Sequence, residues 1–208
     1  MKGIDFTPDM HRAIREVRKS MTRRVAKCPK GHPYPSEWQE HGNPVMCSDG
    51  WVWSYGHDEN DNPIDYPLSP KYKVGDRVFV REAWCAHSSM DNLKPSEIPT
   101  LSAVHYMEDG PKPVWGGRTR NKRFMPAWAS RTAFDITGVR VERVNEISER
   151  DACDEGTGEM LAEREHWDGD PDAYRKCFRE LWESIHGQGA WIRNDWVFVY
   201  EFKVVQNA

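Results

Sequence analysis

The sequence lacks several features that would assign it quickly. No run approaches about 18 consecutive apolar residues, so no membrane-spanning helix is expected and no membrane partner is proposed. The first twenty residues, MKGIDFTPDMHRAIREVRKS, hold no apolar leader core, and a cytoplasmic location is the expectation. There is no glycine-rich phosphate loop, no Gly-x-Ser-x-Gly turn, no internal repeat and no low-complexity tract. Cysteines number five, an odd count that suits reduced thiols better than a disulfide framework. What remains is 208 residues with 30% charged side chains, ten tryptophans and a mean hydropathy of -0.82. A chain this rich in aromatics and of this length can bury a core, and one domain spanning 1–208 is expected.

Net charge is only -4, but it is unevenly spread. Residues 1–30 carry nine Lys/Arg against three acids, and residues 111–131 carry six against none. Residues 142–183 carry fourteen acids against six bases. Two basic segments on an acidic chain suggest a local anionic ligand; the plainer alternative is two solvated surface segments.

Local patterns outline the elements. Thr7-Pro8 reads as a helix start, and Met10, Ala13, Ile14 and Val17 give a short amphipathic helix over about 8–18. Residues 29–70 hold seven of the fourteen prolines and read as an insertion. Within it, Val45-Met46-Cys47 and Trp51-Val52-Trp53 flank Asp49-Gly50 as a hairpin. From Arg77 to Trp84 the alternation predicts a strand with Val78, Val80, Glu82 and Trp84 on one face. A second strand runs from Arg131 to Val144, with a bulge at Gly138. Ser148 to Asp151 resembles a capping box opening a short helix that Gly156 ends. Asp170-Pro171 opens a stronger helix with Cys177 on its apolar stripe, closed by Gly187. Residues 196–204 are apolar on both faces, as a central strand would be. Short helices between such strands imply an α+β fold built on a small, strongly bent sheet or barrel.

The segment Ala13 to Arg24 resembles the signature helix of ASCH-domain proteins, which belong to the PUA-like superfold. The usual pattern is a glycine, then x-Lys-x-x-Thr, then an arginine. Lys19, Thr22 and Arg24 match, and Val17 stands where glycine is usual. Val74–Trp84, Met125–Arg131 and Phe178–Ile185 with Trp196–Phe198 resemble the phage and prophage branch of that family. The resemblance implies a PUA-like small bent β-barrel with flanking helices, and a cleft that binds RNA, single-stranded nucleic acid or a modified nucleoside. One branch looks like amidohydrolases that remove an acyl group from N4-acylcytidine through a Lys, a Thr and a Glu. Carried onto this chain, those are Lys19, Thr22 and Glu155. Ribonuclease activity is also attributed to ASCH proteins. A phage origin would make a host protein, bound through the insertion, a further candidate partner.

Each candidate has a plain counterpart. Lys19, Thr22 and Glu155 could hydrolyse an amide if Arg18, Arg23 and Arg24 lower the Lys19 pKa by repulsion. Alternatively Lys19 and Arg24 hold phosphate and Glu155 pairs with a neighbour. Glu82 could read an exocyclic amine, or pair with an N-terminal arginine. Arg118, Arg120, Lys122 and Arg123, interleaved with Phe124 and Trp128, suit backbone contacts and base stacking; the alternative is a solvated loop with tucked aromatics. Cys28, His32, Cys47 and His57 are a zinc candidate, but nine residues between Cys47 and His57 break the usual spacing, so neither metal nor cofactor is expected.

Overall fold

The C-terminal segment organises the computed structural model, which describes residues 1–26, 45–47, 50–57, 60, 63–163 and 169–206. In chain order come β1 (Lys2–Asp5), α1 (Pro8–Arg15), β2 (Met21–Val25), β3 (Val45–Cys47), β4 (Gly50–His57) and β5 (Pro63–Leu68). They are followed by β6 (Arg77–Arg81), β7 (Trp84–Cys85), β8 (His105–Tyr106) and β9 (Thr132–Arg143). The last elements are α2 (Glu149–Ala152), α3 (Gly158–Ala162), α4 (Ala173–His186), α5 (Ala190–Arg193) and β10 (Trp196–Gln206). None of the described helices is long and apolar enough to cross a membrane.

Five strands form one mixed sheet in the order β1-β6-β9-β10-β2, with β1 parallel to β6 and the other pairs antiparallel. β10 lies inside the sheet, and its two apolar faces feed two cores. Trp196, Phe198, Tyr200 and Phe202 join Ile4, Met10, Ile14, Val78 and Phe134. Val197 and Val199 join Met21, Phe178 and Trp182. α1 therefore covers one face and α4 the other. The β9 bulge falls where expected: Gly138 opposes Glu201 and Ile136 opposes Phe202, leaving Thr137 unmatched.

The fold class is α+β, and the described sheet does not close into a barrel through backbone pairing. It is strongly curled nonetheless. Flat, five strands would hold β1 and β2 about 19 Å apart, at about 4.8 Å per spacing. Yet Arg24 on β2 donates to the Asp5 carbonyl of β1 at 2.7 Å, which a flat sheet forbids.

Three expectations need correction. α1 stops at Arg15 rather than near 18. Val17, with φ +59 and mostly exposed, takes the left-handed position of a C-terminal cap: Arg18 N–H bonds the Ala13 carbonyl and Val17 N–H the Ile14 carbonyl. That conformation suits glycine better than a β-branched residue. The expected strand over 77–84 breaks after Arg81, and Trp84 begins β7, paired with β8. The helix opened by Ser148, whose Oγ accepts from Asp151 N–H, runs as α helix only to Ala152. A wide turn, Cys153–Thr157, then contains Gly156 at φ +89.

The expected hairpin in the proline-rich segment is present as β3 and β4, extended by β5. Cys28 and His32 lie outside the described residues. Cys47 opposes Gly50, while His57 opposes Pro63 toward the other end of β4.

Candidate functional site

Lys19 and Ser20 lie in the short link between α1 and β2. Ser20 N–H bonds the Asp154 carbonyl, and Phe202 N–H bonds the Ser20 carbonyl, so the link is stitched to the 153–157 turn and to β10. Gly156 makes that seam tight. A Cβ there would sit 3.1 Å from both Ala13 Cβ and Lys19 Cβ.

The result is a buried ion cluster. Lys19 Nζ donates to Glu155 Oε2 at 2.6 Å and to the Glu155 carbonyl at 2.7 Å, with 2% and 4% of the two side chains exposed. Arg23 donates to Glu155 Oε1 at 3.0 Å, to Glu142 and to Asp151. Burial, the largest influence, pulls the Lys19 ammonium below its ordinary pKa; the Glu155 charge and hydrogen bond oppose it, and Arg24 and Arg23 add smaller downward pushes. The expected cause, repulsion from neighbouring arginines, is thus secondary. Arg18 takes no part: it pairs with Glu16 and Glu159 at the surface.

These residues open onto a cavity of about 230 Å³. Lys19, Thr22, Arg23, Arg24, Lys122 and Glu155 supply its polar wall, and Phe6, Phe178, Leu181, Trp182 and Ile185 its apolar one. Phe6 lies under two cations, with Lys19 Nζ 5.6 Å and Arg24 Cζ 5.0 Å from its ring centre. His186 at the rim stacks near Trp182, and desolvation, with repulsion from Arg24, holds its pKa below the ordinary imidazole value. Lys19 and Thr22 do meet in one wall, but by another route than one helix face: Lys19 comes from the link and Thr22 from β2.

Other sequence candidates fall elsewhere. Glu82 is fully buried and is not part of this wall; Arg131 grips both its oxygens, at 3.0 and 2.6 Å, with Arg15 at 3.4 Å. Its partner is therefore chiefly an arginine of β9's approach, not only an N-terminal one. The basic loop splits. Arg120 is buried and donates to the Leu93 and Met90 carbonyls, and Arg118 also donates to Leu93. Trp128 packs edge-on against Trp84. Lys122 alone of the group reaches the cavity wall, while Arg123 and Phe124 are exposed.

The charge segments also find a structural use. Bases of 1–30 meet acids of 142–183 in the pairs Arg18–Glu159, Lys19–Glu155, Arg23–Glu142 and Arg23–Asp151. Much of the basic patch is neutralised within the chain.

Among the described residues, His11, Glu82 and Glu108 hold ligand atoms within 4.8 Å of one another. His11 Nδ1 lies 2.5 Å from Glu108, and Arg15 and Arg131 stand beside the carboxylates. Cations already occupy these acids, so the group reads as an ion-pair network rather than a metal centre. Comparison with family models, with curated proteins and with solved structures found no match.

Proposed function

We propose that the protein recognises a single nucleobase, free as a modified nucleoside or presented by RNA or single-stranded nucleic acid, in the cavity beside Lys19. The observation that carries this reading is the composition of the wall. Aromatic side chains of Phe6, Phe178 and Trp182 line it together with the charged groups of Lys19, Arg24 and Glu155. Flat faces plus a few directed polar groups are what base recognition uses. At about 230 Å³ the cavity lies below the roughly 300–1,000 Å³ of drug-sized pockets, which suits one base rather than a strand. Contacts to a flanking backbone fall to Lys122 and Arg123.

The lowered pKa of Lys19 favours a second reading, an amidohydrolase acting on an N4-acylated cytosine. In that reaction neutral Lys19 takes the Thr22 hydroxyl proton, the oxygen attacks the acyl carbon, and the C–N bond breaks as the amine leaves with that proton. Water then hydrolyses the acyl-threonine.

One experiment separates them. Wild type and Thr22→Val are titrated with N4-acetylcytidine and assayed for acetate release. Recognition alone predicts binding by both, weakened by about 1 kcal/mol in Thr22→Val, and no release. Release by wild type that Thr22→Val abolishes while still binding installs the enzyme. No binding of N4-acetylcytidine by wild type refutes both.

A further inference from the structure

A second cavity, of about 350 Å³, adjoins the first: Asp5 and Arg24 line both. It occupies the gap between the sheet edges β1 and β2, with Tyr72, Phe198 and Tyr200 in its floor. Its charge is unbalanced. Among the described residues, Arg24, Lys71 and Arg81 face the single carboxylate of Asp5, which Arg81 contacts at 2.7 Å. Burial raises both tyrosine phenols, Tyr72 to about 12, so neither supplies a compensating negative charge. Lys71 is held below its ordinary pKa by desolvation and by Arg81 and Arg24, a sign of crowded cations. Nε of Arg24, Nε of Arg81 and Oδ1 of Asp5 are buried without a hydrogen-bond partner among the described residues. Buried donors of this kind are costly to leave unpaired.

We propose that this second cavity is the phosphate subsite of the first, so that the ligand is a nucleotide rather than a nucleoside. This rests on the base-recognition reading above. A phosphate brings the two negative charges the cations lack. A ribose hydroxyl can donate to Asp5. Arg24, shared by both walls, contacts the ligand between base and phosphate.

The test compares cytidine with cytidine 5′-monophosphate, and N4-acetylcytidine with its 5′-monophosphate, by calorimetric titration of the full chain. The expected result is that each nucleotide binds at least tenfold tighter than its nucleoside. That advantage should shrink with added salt and fall to within twofold in Lys71→Gln, while nucleoside affinity is unchanged. The exposed Lys71 side chain makes a long bond to the Gly3 carbonyl and lies 5.0 Å from the Tyr72 ring centre, surface contacts whose loss leaves the fold intact; Arg81→Gln is the second variant. Inorganic phosphate added to a nucleoside titration should leave nucleoside affinity unchanged, since a free ion lacks the tether. Equal binding of nucleoside and nucleotide overturns this inference and leaves base recognition standing. A nucleotide advantage that survives in both variants also overturns it, placing the phosphate elsewhere. Binding of neither overturns both.

Discussion

Replacing Glu155 by Gln keeps the shape of the buried cluster and removes its central charge. Glu155 accepts from Lys19 at 2.6 Å and from Arg23 at 3.0 Å. Arg23 retains Glu142 and Asp151, so the burden falls on Lys19. Breaking a buried ion pair costs about 3–5 kcal/mol. A ceiling applies here, because lysine can discharge. Its unfolded pKa is 10.5, so giving up the proton at pH 7 costs about 4.8 kcal/mol and at pH 9.5 only about 1.4. The folded wild type already holds Lys19 below 10.5, so between that lowered value and 10.5 the unfolded chain binds more protons and stability rises with pH. Without the Glu155 charge the folded pKa drops further, and the variant's deficit shrinks as pH rises through both folded values. Urea unfolding should therefore give a loss of about 3 kcal/mol at pH 7 and no more than about 1.4 at pH 9.5. A loss below about 1 kcal/mol at pH 7, or one that is equal at both pH values, refutes the claim that this ion pair holds the site together.

Three further outcomes follow from the geometry. Val17→Gly should raise stability by about 0.5–1 kcal/mol, because relief of a left-handed β-branched residue outweighs the added chain entropy and no packing is lost; a loss in thermal unfolding would contradict the cap. Gly156→Ala should lower stability by about 2 kcal/mol and weaken nucleoside binding, since its Cβ meets Lys19 and Ala13 at a positive φ; unchanged affinity would separate the turn from the cavity. Arg120→Ala should cost about 2 kcal/mol through its two carbonyl partners, whereas the Lys122→Ala, Arg123→Ala pair should cost less than about 1 and reduce the salt slope of oligonucleotide binding. Equal unfolding midpoints for the two variants would refute the division of that loop.

Much of the sheet was legible because period-2 alternation and turn residues act locally. β9, its bulge at Gly138 and the two-faced β10 needed no tertiary information. The end of α1 was not legible, since Val17 continues the apolar spacing while its backbone leaves the helix. Glu82 announced a need for a partner, but Arg131 becomes that partner only once β6 and β9 pair. The basic and acidic segments were visible as charge runs; that they neutralise one another depends on α2 and the following turn folding against β2. Lys19, Thr22 and Glu155 were named through a family resemblance and do share a wall. The second cavity had no signal of its own, because Arg81 and Lys71 sit singly in unrelated segments and the curl of the sheet brings them to Arg24.

The most direct measurement of the central claim is calorimetric titration of cytidine and N4-acetylcytidine into wild type and Ile185→Trp. Ile185 is half exposed and lines the cavity, so an indole there takes up space that the ligand needs. The account predicts saturable one-to-one binding by wild type, and loss of at least tenfold in affinity by Ile185→Trp with its unfolding midpoint unchanged. Undiminished binding by the blocked variant would contradict it, and so would a wild type that binds neither nucleoside.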